Sequence, residues 1–113
     1  MNKSPNKALL DLVLNVLDDQ KAINVLTIDL SKISDIADYV IVATGTSNRH
    51  LFTMSDKIQR TLKKEKKKIL GVDGEETGDW IVMDLEDVIV HLFREEVRDY
   101  YKIEEIWLNN KAK

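Results

Sequence analysis

The chain has 113 residues, 43% hydrophobic and 33% charged, which suits one domain spanning residues 1–113 around a modest core. It contains no cysteine, so a disulfide framework, a thiolate metal site and a thiol nucleophile are excluded. The net charge is −3, and acidic residues concentrate in residues 73–105, a distribution that would suit a basic protein partner.

The N-terminal residues do not predict a targeting signal. They lack both the apolar stretch of an export signal and the arginine-rich character of a transit peptide. No apolar run approaches the ~20 residues of a membrane span. We therefore expect a cytoplasmic protein with no membrane contact.

The first third of the chain predicts a helix and then a strand. Ser4 is a good N-cap, and Pro5 fits the first helical position. Residues 25–30 alternate between apolar and polar, as in a half-buried strand. Between the cap and this strand, apolar residues recur at helical spacing and form a buried stripe of Leu9, Leu12, Val13, Val16 and Leu17, widened by Leu10 and Leu14.

Residues 38–50, D-Y-V-I-V-A-T-G-T-S-N-R-H, predict a strand, a turn and the start of a helix. The apolar, β-branched run at residues 39–43 is typical of a central strand covered on both faces. Gly45 permits a backbone angle that other residues avoid, and Ser47 can cap the helix. Such a junction directs backbone N–H groups at one point, so it can bind a phosphate or carboxylate, or simply turn the chain.

The next helix carries an apolar stripe on one side and a lysine cluster at its end. The stripe is made of Leu51, Met54, Ile58 and Leu62. The lysine cluster comprises Lys63, Lys64, Lys66, Lys67 and Lys68. Cations at a helix C-terminus offset the partial negative charge of its carbonyls, so the cluster is either a solvated helix end or a contact with RNA.

A short strand is predicted to begin at Ile69 and Leu70, followed by a glycine-rich, acidic loop over residues 71–79. The loop has neither the P-loop spacing nor the dinucleotide-binding fingerprint. We therefore expect a mobile surface loop.

Two apolar runs, residues 80–85 and 88–93, predict two antiparallel strands because only two residues separate them. The carboxylates of Asp79, Asp84 and Asp87 surround this hairpin, where three such groups can gather a magnesium ion. No Asp-x-Asp pair occurs, however, so we interpret them as turn carboxylates that cap backbone donors.

His91 shares a strand face with Ile89 and Phe93. This position indicates a hydrogen-bonded histidine in or beside the core rather than a catalytic base. No serine or cysteine with a matching acid forms a convincing triad, so we assign no catalytic residue and no cofactor.

The C-terminal residues gather large amphipathic side chains in the acidic region. Residues 94–102 predict a short helix or extended turn, and residues 103–108 a last short strand or tail. Tyr100, Tyr101 and Trp107, with Trp80, are either interface anchors or a cover for the sheet.

Two long motifs stand out in the chain. They are residues 38–50 and the run W-I-V-M-D-L-E-D-V-I-V-H-L-F with the following R-x-Y-Y and W. On these motifs the chain resembles the ribosomal silencing factor family, also called Iojap, over roughly residues 25–107. The resemblance implies an α/β fold with a mixed, mostly five-stranded sheet and helices packed on it, similar to the nucleotidyltransferase fold without its catalytic carboxylates. It also implies a non-enzymatic translational repressor that binds the large ribosomal subunit through its fourteenth protein and blocks joining of the small subunit. We further expect a homodimer when the protein is free.

The partner-binding residues predicted on this basis lie mainly on the hairpin and the segment after it. They are Trp80, Asp84, Glu86, Asp87, Tyr100 and Tyr101, with His91 and Arg49 added. The lysine cluster would make a minor contact with ribosomal RNA. Glu86 stands where the family usually has glycine, which either puts a tight turn with a positive backbone angle in doubt or adds a charge to the contact surface.

Two other functions stay open at the level of sequence. A small nucleotidyltransferase-like enzyme or nucleotide-binding protein would use the turn at residues 44–47, which contains Thr44 and Ser47, to hold phosphates. An RNA-binding protein would act through the lysine cluster and would bind naked RNA with a steep salt dependence.

Overall fold

The computed structural model describes residues 5–32 and 37–101. In chain order this part of the protein forms α1 (Pro5–Asp19), β1 (Ile23–Asp29), β2 (Tyr39–Gly45), α2 (Asn48–Lys64), β3 (Gly71–Asp73), β4 (Trp80–Asp84), β5 (Val88–Arg94) and α3 (Glu95–Tyr101). The strand expected to begin at Ile69 begins at Gly71 instead. The predicted cap Ser4 and the tail at residues 103–108, with Trp107, lie outside the described residues.

The five strands form one mixed sheet in the order β1-β2-β5-β4-β3, which confirms the predicted fold class. β2 and β5 run parallel, and the other neighbouring pairs are antiparallel. β5 rather than β2 occupies the middle of the sheet, a correction to the central position expected for residues 39–43. Both strands have a neighbour on each side, and an apolar pattern does not distinguish two such strands.

The larger core lies between one face of the sheet and the helices α1 and α2. All four predicted stripe residues of α2 are 1% exposed or less. On α1, Leu12 and Val16 are only partly buried, whereas Leu10 is 5% exposed and belongs to the core. The buried side of α1 is rotated toward Leu10 because this helix packs against both α2 and β5.

The opposite face of the sheet carries a second, smaller core. Val97 of α3 packs against it, and its buried members are Ile28, Leu30, Val40, Val42 and Phe93. β2 serves both cores, since Ile41 and Ala43 face the larger one. The prediction that residues 39–43 are covered on both faces is therefore confirmed.

Helices α1 and α2 end in the same way, with a lysine in the left-handed backbone region. Lys21 has φ 63 and Lys66 has φ 58. Two hydrogen bonds close each helix end. In α1, Ala22 N–H donates to Leu17 O at 2.9 Å and Lys21 N–H to Asp18 O at 3.0 Å. In α2, Lys67 N–H donates to Leu62 O at 2.8 Å and Lys66 N–H to Lys63 O at 3.1 Å. This is the Schellman arrangement, in which glycine usually supplies the left-handed residue.

Side chains of α2 hold the loop between β3 and β4, which was expected to be a mobile surface loop and stays partly exposed. Glu75 Oε2 accepts hydrogen bonds from Ser55 Oγ at 2.8 Å and from Gln59 Nε2 at 3.0 Å. Asn48 Nδ2 donates to Thr77 O at 2.6 Å. Ser55 is fully buried, and a buried hydroxyl without a partner would be costly. The loop composition indicated exposure but carried no signal of these partners.

Candidate partner-binding surface

The hairpin of β4 and β5 carries three of the predicted contact residues, Asp84 at the end of β4 and Glu86 and Asp87 in the turn. We refer to these three as the acidic turn. Asp84 Oδ1 accepts a hydrogen bond from the backbone N–H of Glu86 at 2.9 Å. Asp84 therefore caps a backbone donor, as predicted. The prediction was wrong for Asp79, whose Oδ1 accepts from the side chains of Arg94 and Asn48, each at 2.9 Å. The side chains of Asp84 and Glu86 are nevertheless exposed, so their charges face solvent.

Glu86 itself adopts φ 78, in the left-handed region. The tight turn with a positive backbone angle is therefore present, although residue 86 is a glutamate and not the glycine that such an angle favours. A residue with a Cβ in this conformation costs on the order of 1 kcal/mol relative to an ordinary angle. The Glu86 carboxylate places a negative charge at the tip of the hairpin.

Negative charge is concentrated around Asp87. Partial burial raises the pKa of the Asp87 carboxyl above its usual 3.8, and the carboxylates of Asp38 and Glu86 raise it further. Lys68 Nζ lies 4.0 Å from Glu86 Oε1, and both side chains are more than half exposed, so water weakens this pair. A cationic partner would stabilise these mutually repelling carboxylates.

Trp80 and His91 form a cluster with Phe93 on the face of the smaller core. Trp80 Nε1–H donates to His91 Nδ1 at 3.1 Å, and the Trp80 and Phe93 ring centroids are 4.8 Å apart. Burial lowers the pKa of His91 to about 4, so the imidazole is neutral at pH 7 and carries its proton on Nε2. The predicted hydrogen-bonded histidine in the core is confirmed, and it fixes the inner edge of Trp80.

The predicted contact residues fall into two groups at opposite ends of β4. Trp80 pairs with Phe93, whereas Asp84 pairs with Ile89 near the turn. Four residue steps along the strand, roughly 13 Å, therefore separate Trp80 from the acidic turn.

Arg49 and the two tyrosines belong to the same end as Trp80. β2 runs parallel to β5 and its last residue pairs with Arg94, so the first turn of α2, with Arg49, begins at that end. Tyr100 and Tyr101 lie in α3, which follows the last residue of β5, and their side chains are outside the described residues. The sequence alone did not indicate this division.

Arg49 also lines an open cleft of about 540 Å³ between α2 and the β3–β4 loop. Sequence reasoning missed this cleft, whose walls are Asn48, Arg49, Phe52, Thr53 and residues 75–78. Phe52 is 49% exposed there. The one available signal was a phenylalanine outside the apolar stripe of its helix.

The junction between β2 and α2 uses its own donors internally. Ser47 Oγ accepts from the His50 N–H at 3.0 Å, which confirms the predicted cap, and the Thr46 N–H donates to His50 Nδ1 at 2.9 Å. Thr44 Oγ1 accepts from Arg98 Nη1 at 2.7 Å. Two of the N–H groups that would hold a phosphate therefore already have protein acceptors, which disfavours the nucleotide-binding alternative.

Glycine at position 45 is required by packing and not by its backbone angle, a correction to the sequence-based reason. Gly45 is the last residue of β2 and is not among the glycines with positive φ, Gly74 and Gly78. A Cβ there would lie 2.5 Å from Leu51 Cδ1. A Cβ at position 45 would therefore force the ends of the Leu51 and Met54 side chains to move.

Within residues 5–32 and 37–101, no three histidine, aspartate or glutamate side chains are grouped so that they could hold a metal ion. None of the helices in that same part of the chain has the length and apolar character needed to cross a membrane.

Fold and surface together define a small mixed α/β protein whose candidate site is an exposed, charged turn. The chain belongs to the ribosomal silencing factor family: the family described as "ribosomal silencing factor during starvation" matches residues 2–113. The resemblance carried by the two motifs is thereby confirmed, and it makes the protein a ribosome-associated regulator by family.

Relatives and solved structures match most of the chain. A Zymomonas mobilis protein named ribosomal silencing factor RsfS is 39% identical over 99 residues, 88% of this chain and 74% of that protein. The crystal structure of a Chromobacterium violaceum protein has a TM-score of 0.88 at 36% identity and covers 92% of this chain and 87% of its own. A mouse protein named mitochondrial assembly of ribosomal large subunit protein 1 is 27% identical over 101 residues, 87% of this chain and 44% of the mouse protein.

Proposed function

We propose that this protein is a cytoplasmic translational repressor that binds the large ribosomal subunit through its fourteenth protein and prevents the small subunit from joining. Family membership supports a target on the ribosome. The name of the mouse relative, which refers to the large subunit, supports the choice of subunit. The observation that carries the choice of surface is the acidic turn.

The acidic turn suits a basic protein because its charges are close together and poorly neutralised. Asp84 and Glu86 are exposed, and Asp87 titrates above its usual pKa beside two other carboxylates. Lysine or arginine side chains of a partner would relieve this repulsion and would also steer the encounter at long range. Proteins that lie on ribosomal RNA offer such side chains because they neutralise phosphates.

The turn alone is too small for a stable interface, which needs about 800 Å² on each partner. The contact therefore extends along β4 toward Trp80, whose ring is half-buried and held by His91. Tyr100 and Tyr101 of α3 would complete its far end, and Arg49 would lie at its rim, because α2 covers the opposite face of the sheet. The mechanism is steric, because the bound domain occupies a surface that the small subunit needs, and no covalent step takes part.

The test reverses charge in the acidic turn without disturbing its backbone. Glu86→Lys with Asp87→Lys leaves the Asp84 carboxylate, which caps the turn, in place. We expect at least a tenfold loss of cosedimentation with purified large subunits, since close charge pairs contribute several kcal/mol at interfaces. The same variant should no longer inhibit the association of purified subunits, measured by light scattering.

Asp18→Lys with Asp19→Lys is the matched control, because it makes the same charge change on exposed residues of the last turn of α1. Cations are favourable there, so this variant should fold and bind like wild type. Normal cosedimentation by the turn variant, with its fold intact by circular dichroism, would rule out the acidic turn as the contact.

A further inference from the structure

The basic end of α2 lies beside the acidic turn. All five residues of the lysine cluster, at positions 63, 64 and 66–68, are exposed. Lys68 Nζ approaches Glu86 Oε1 to 4.0 Å, which joins the end of α2 to the hairpin tip. Two clusters that are about 20 positions apart in sequence thus form adjacent patches of opposite charge.

The lysine cluster keeps most of its positive charge. Among the ion pairs of the described residues, the cluster takes part only in the exposed pair between Lys68 and Glu86. Glu65 is the one acidic residue within the run. Exposed lysines that are not neutralised attract phosphates, because binding releases counterions from the nucleic acid.

We propose that the lysine cluster binds RNA phosphates of the large subunit, next to the protein that the acidic turn contacts. This inference rests on the proposed function, since it assumes the large subunit as target. The adjacent patches match a boundary between a basic protein and RNA. Residues 63–68 contain no aromatic side chain that could stack on a base, so the contact is with the backbone and does not read sequence.

The first experiment replaces Lys63, Lys64, Lys66 and Lys67 by glutamine and measures binding against salt concentration. Each lost phosphate contact lowers the slope of log K against log salt by about 0.7–0.9, so the slope for the intact large subunit should fall by roughly 3. Binding to the isolated fourteenth protein should stay as in wild type. The control replaces the exposed Lys7, Lys21, Lys32 and Lys57 by glutamine, which is an equal change in charge. It should alter neither the salt slope for the intact large subunit nor the binding to the isolated protein.

A second experiment uses the two matched helix ends. Lys66→Gly and Lys21→Gly each place glycine at the left-handed position of a Schellman motif, so both variants should unfold at a higher temperature than wild type. Only Lys66→Gly should lower the salt slope for the large subunit, by about 1. If Lys66→Gly binds the large subunit more weakly although it is more stable than wild type, the loss comes from a missing contact and not from a damaged fold.

An unchanged salt slope for the four-lysine variant on intact subunits would overturn the inference. Equal weakening toward the isolated protein would overturn it as well, because the lysines would then contact protein. If the lysine variant loses slope while charge reversal in the acidic turn has no effect, the RNA contact stands and the proposed protein contact fails.

Discussion

At the scale of single residues, Trp80 shows how a predicted contact can also have a structural role. Its indole N–H donates to His91, and its ring packs on Phe93. A side chain already fixed in this way loses less conformational entropy when a partner covers its outer face. The two roles of Trp80 are therefore compatible.

His91 gives the folded protein a defined pH dependence. Its pKa is about 4 when folded and 6.5 when unfolded, so between these values the unfolded chain binds more protons. The stability that depends on neutral His91 is complete above pH 6.5 and is lost as the pH falls through 4. We expect this residue to account for a loss of about 3 kcal/mol over that range.

The measurement is urea unfolding of wild type and His91→Gln at pH 7.0 and pH 4.5. Glutamine can accept the hydrogen bond from Trp80 but does not titrate, so the difference between the two proteins isolates His91. The free energy of unfolding of wild type, relative to that of His91→Gln, should be about 2 kcal/mol lower at pH 4.5 than at pH 7.0. A difference that does not change with pH would contradict the buried, neutral imidazole.

At the scale of helices and strands, the junction between β2 and α2 is limited by space. A Cβ on Gly45 would lie 2.5 Å from Leu51 Cδ1 and 2.9 Å from Met54 Cε, and both of those side chains are fully buried. We expect Gly45→Ala to lower the free energy of unfolding by about 1–3 kcal/mol, measured by urea denaturation, because the buried Leu51 and Met54 side chains must leave their positions.

Gly71→Ala is the control, because nothing lies within 4 Å of a Cβ at that position. It should change stability by no more than about 0.5 kcal/mol. Leu51→Val combined with Gly45→Ala should recover part of the loss by removing the obstructing methyl group. Equal stability of the two alanine variants would show that Gly45 is not packed against α2.

At the scale of the whole molecule, β1 leaves one edge of the described sheet open to a second copy. Ile23 and Val25 on this edge strand are 42% and 40% exposed, and open edges with apolar residues favour association. We expect the free protein to sediment as a homodimer at micromolar concentration. Val25→Lys should convert it to a monomer, because a lysine on an edge strand opposes pairing.

Phe52→Lys is the control for this change, since Phe52 is equally exposed but lies on α2, away from the sheet edge. It should leave the sedimentation coefficient unaltered. A wild-type protein with the mass of one chain would refute the dimer, and a Val25→Lys variant that remains dimeric would place the contact elsewhere.

The sequence by itself determined the types of helices and strands, the fold class and the family. The apolar stripe of α2, the doubly covered run at residues 39–43 and the Ser47 cap were readable because periodicity and capping are local properties. The hairpin followed from spacing, and Asp84 caps its turn as its residue type indicates.

Only the tertiary structure decided which distant residues meet. It placed β5 in the middle of the sheet, brought Lys68 to Glu86, separated Trp80 from the acidic turn and tied Glu75 to the buried Ser55. It also showed that Leu51 and Met54 pack against Gly45 where a Cβ would lie, and that Glu86 holds a left-handed backbone angle. Strand order and side-chain contacts depend on how separate segments pack, and no local pattern in the chain encodes that.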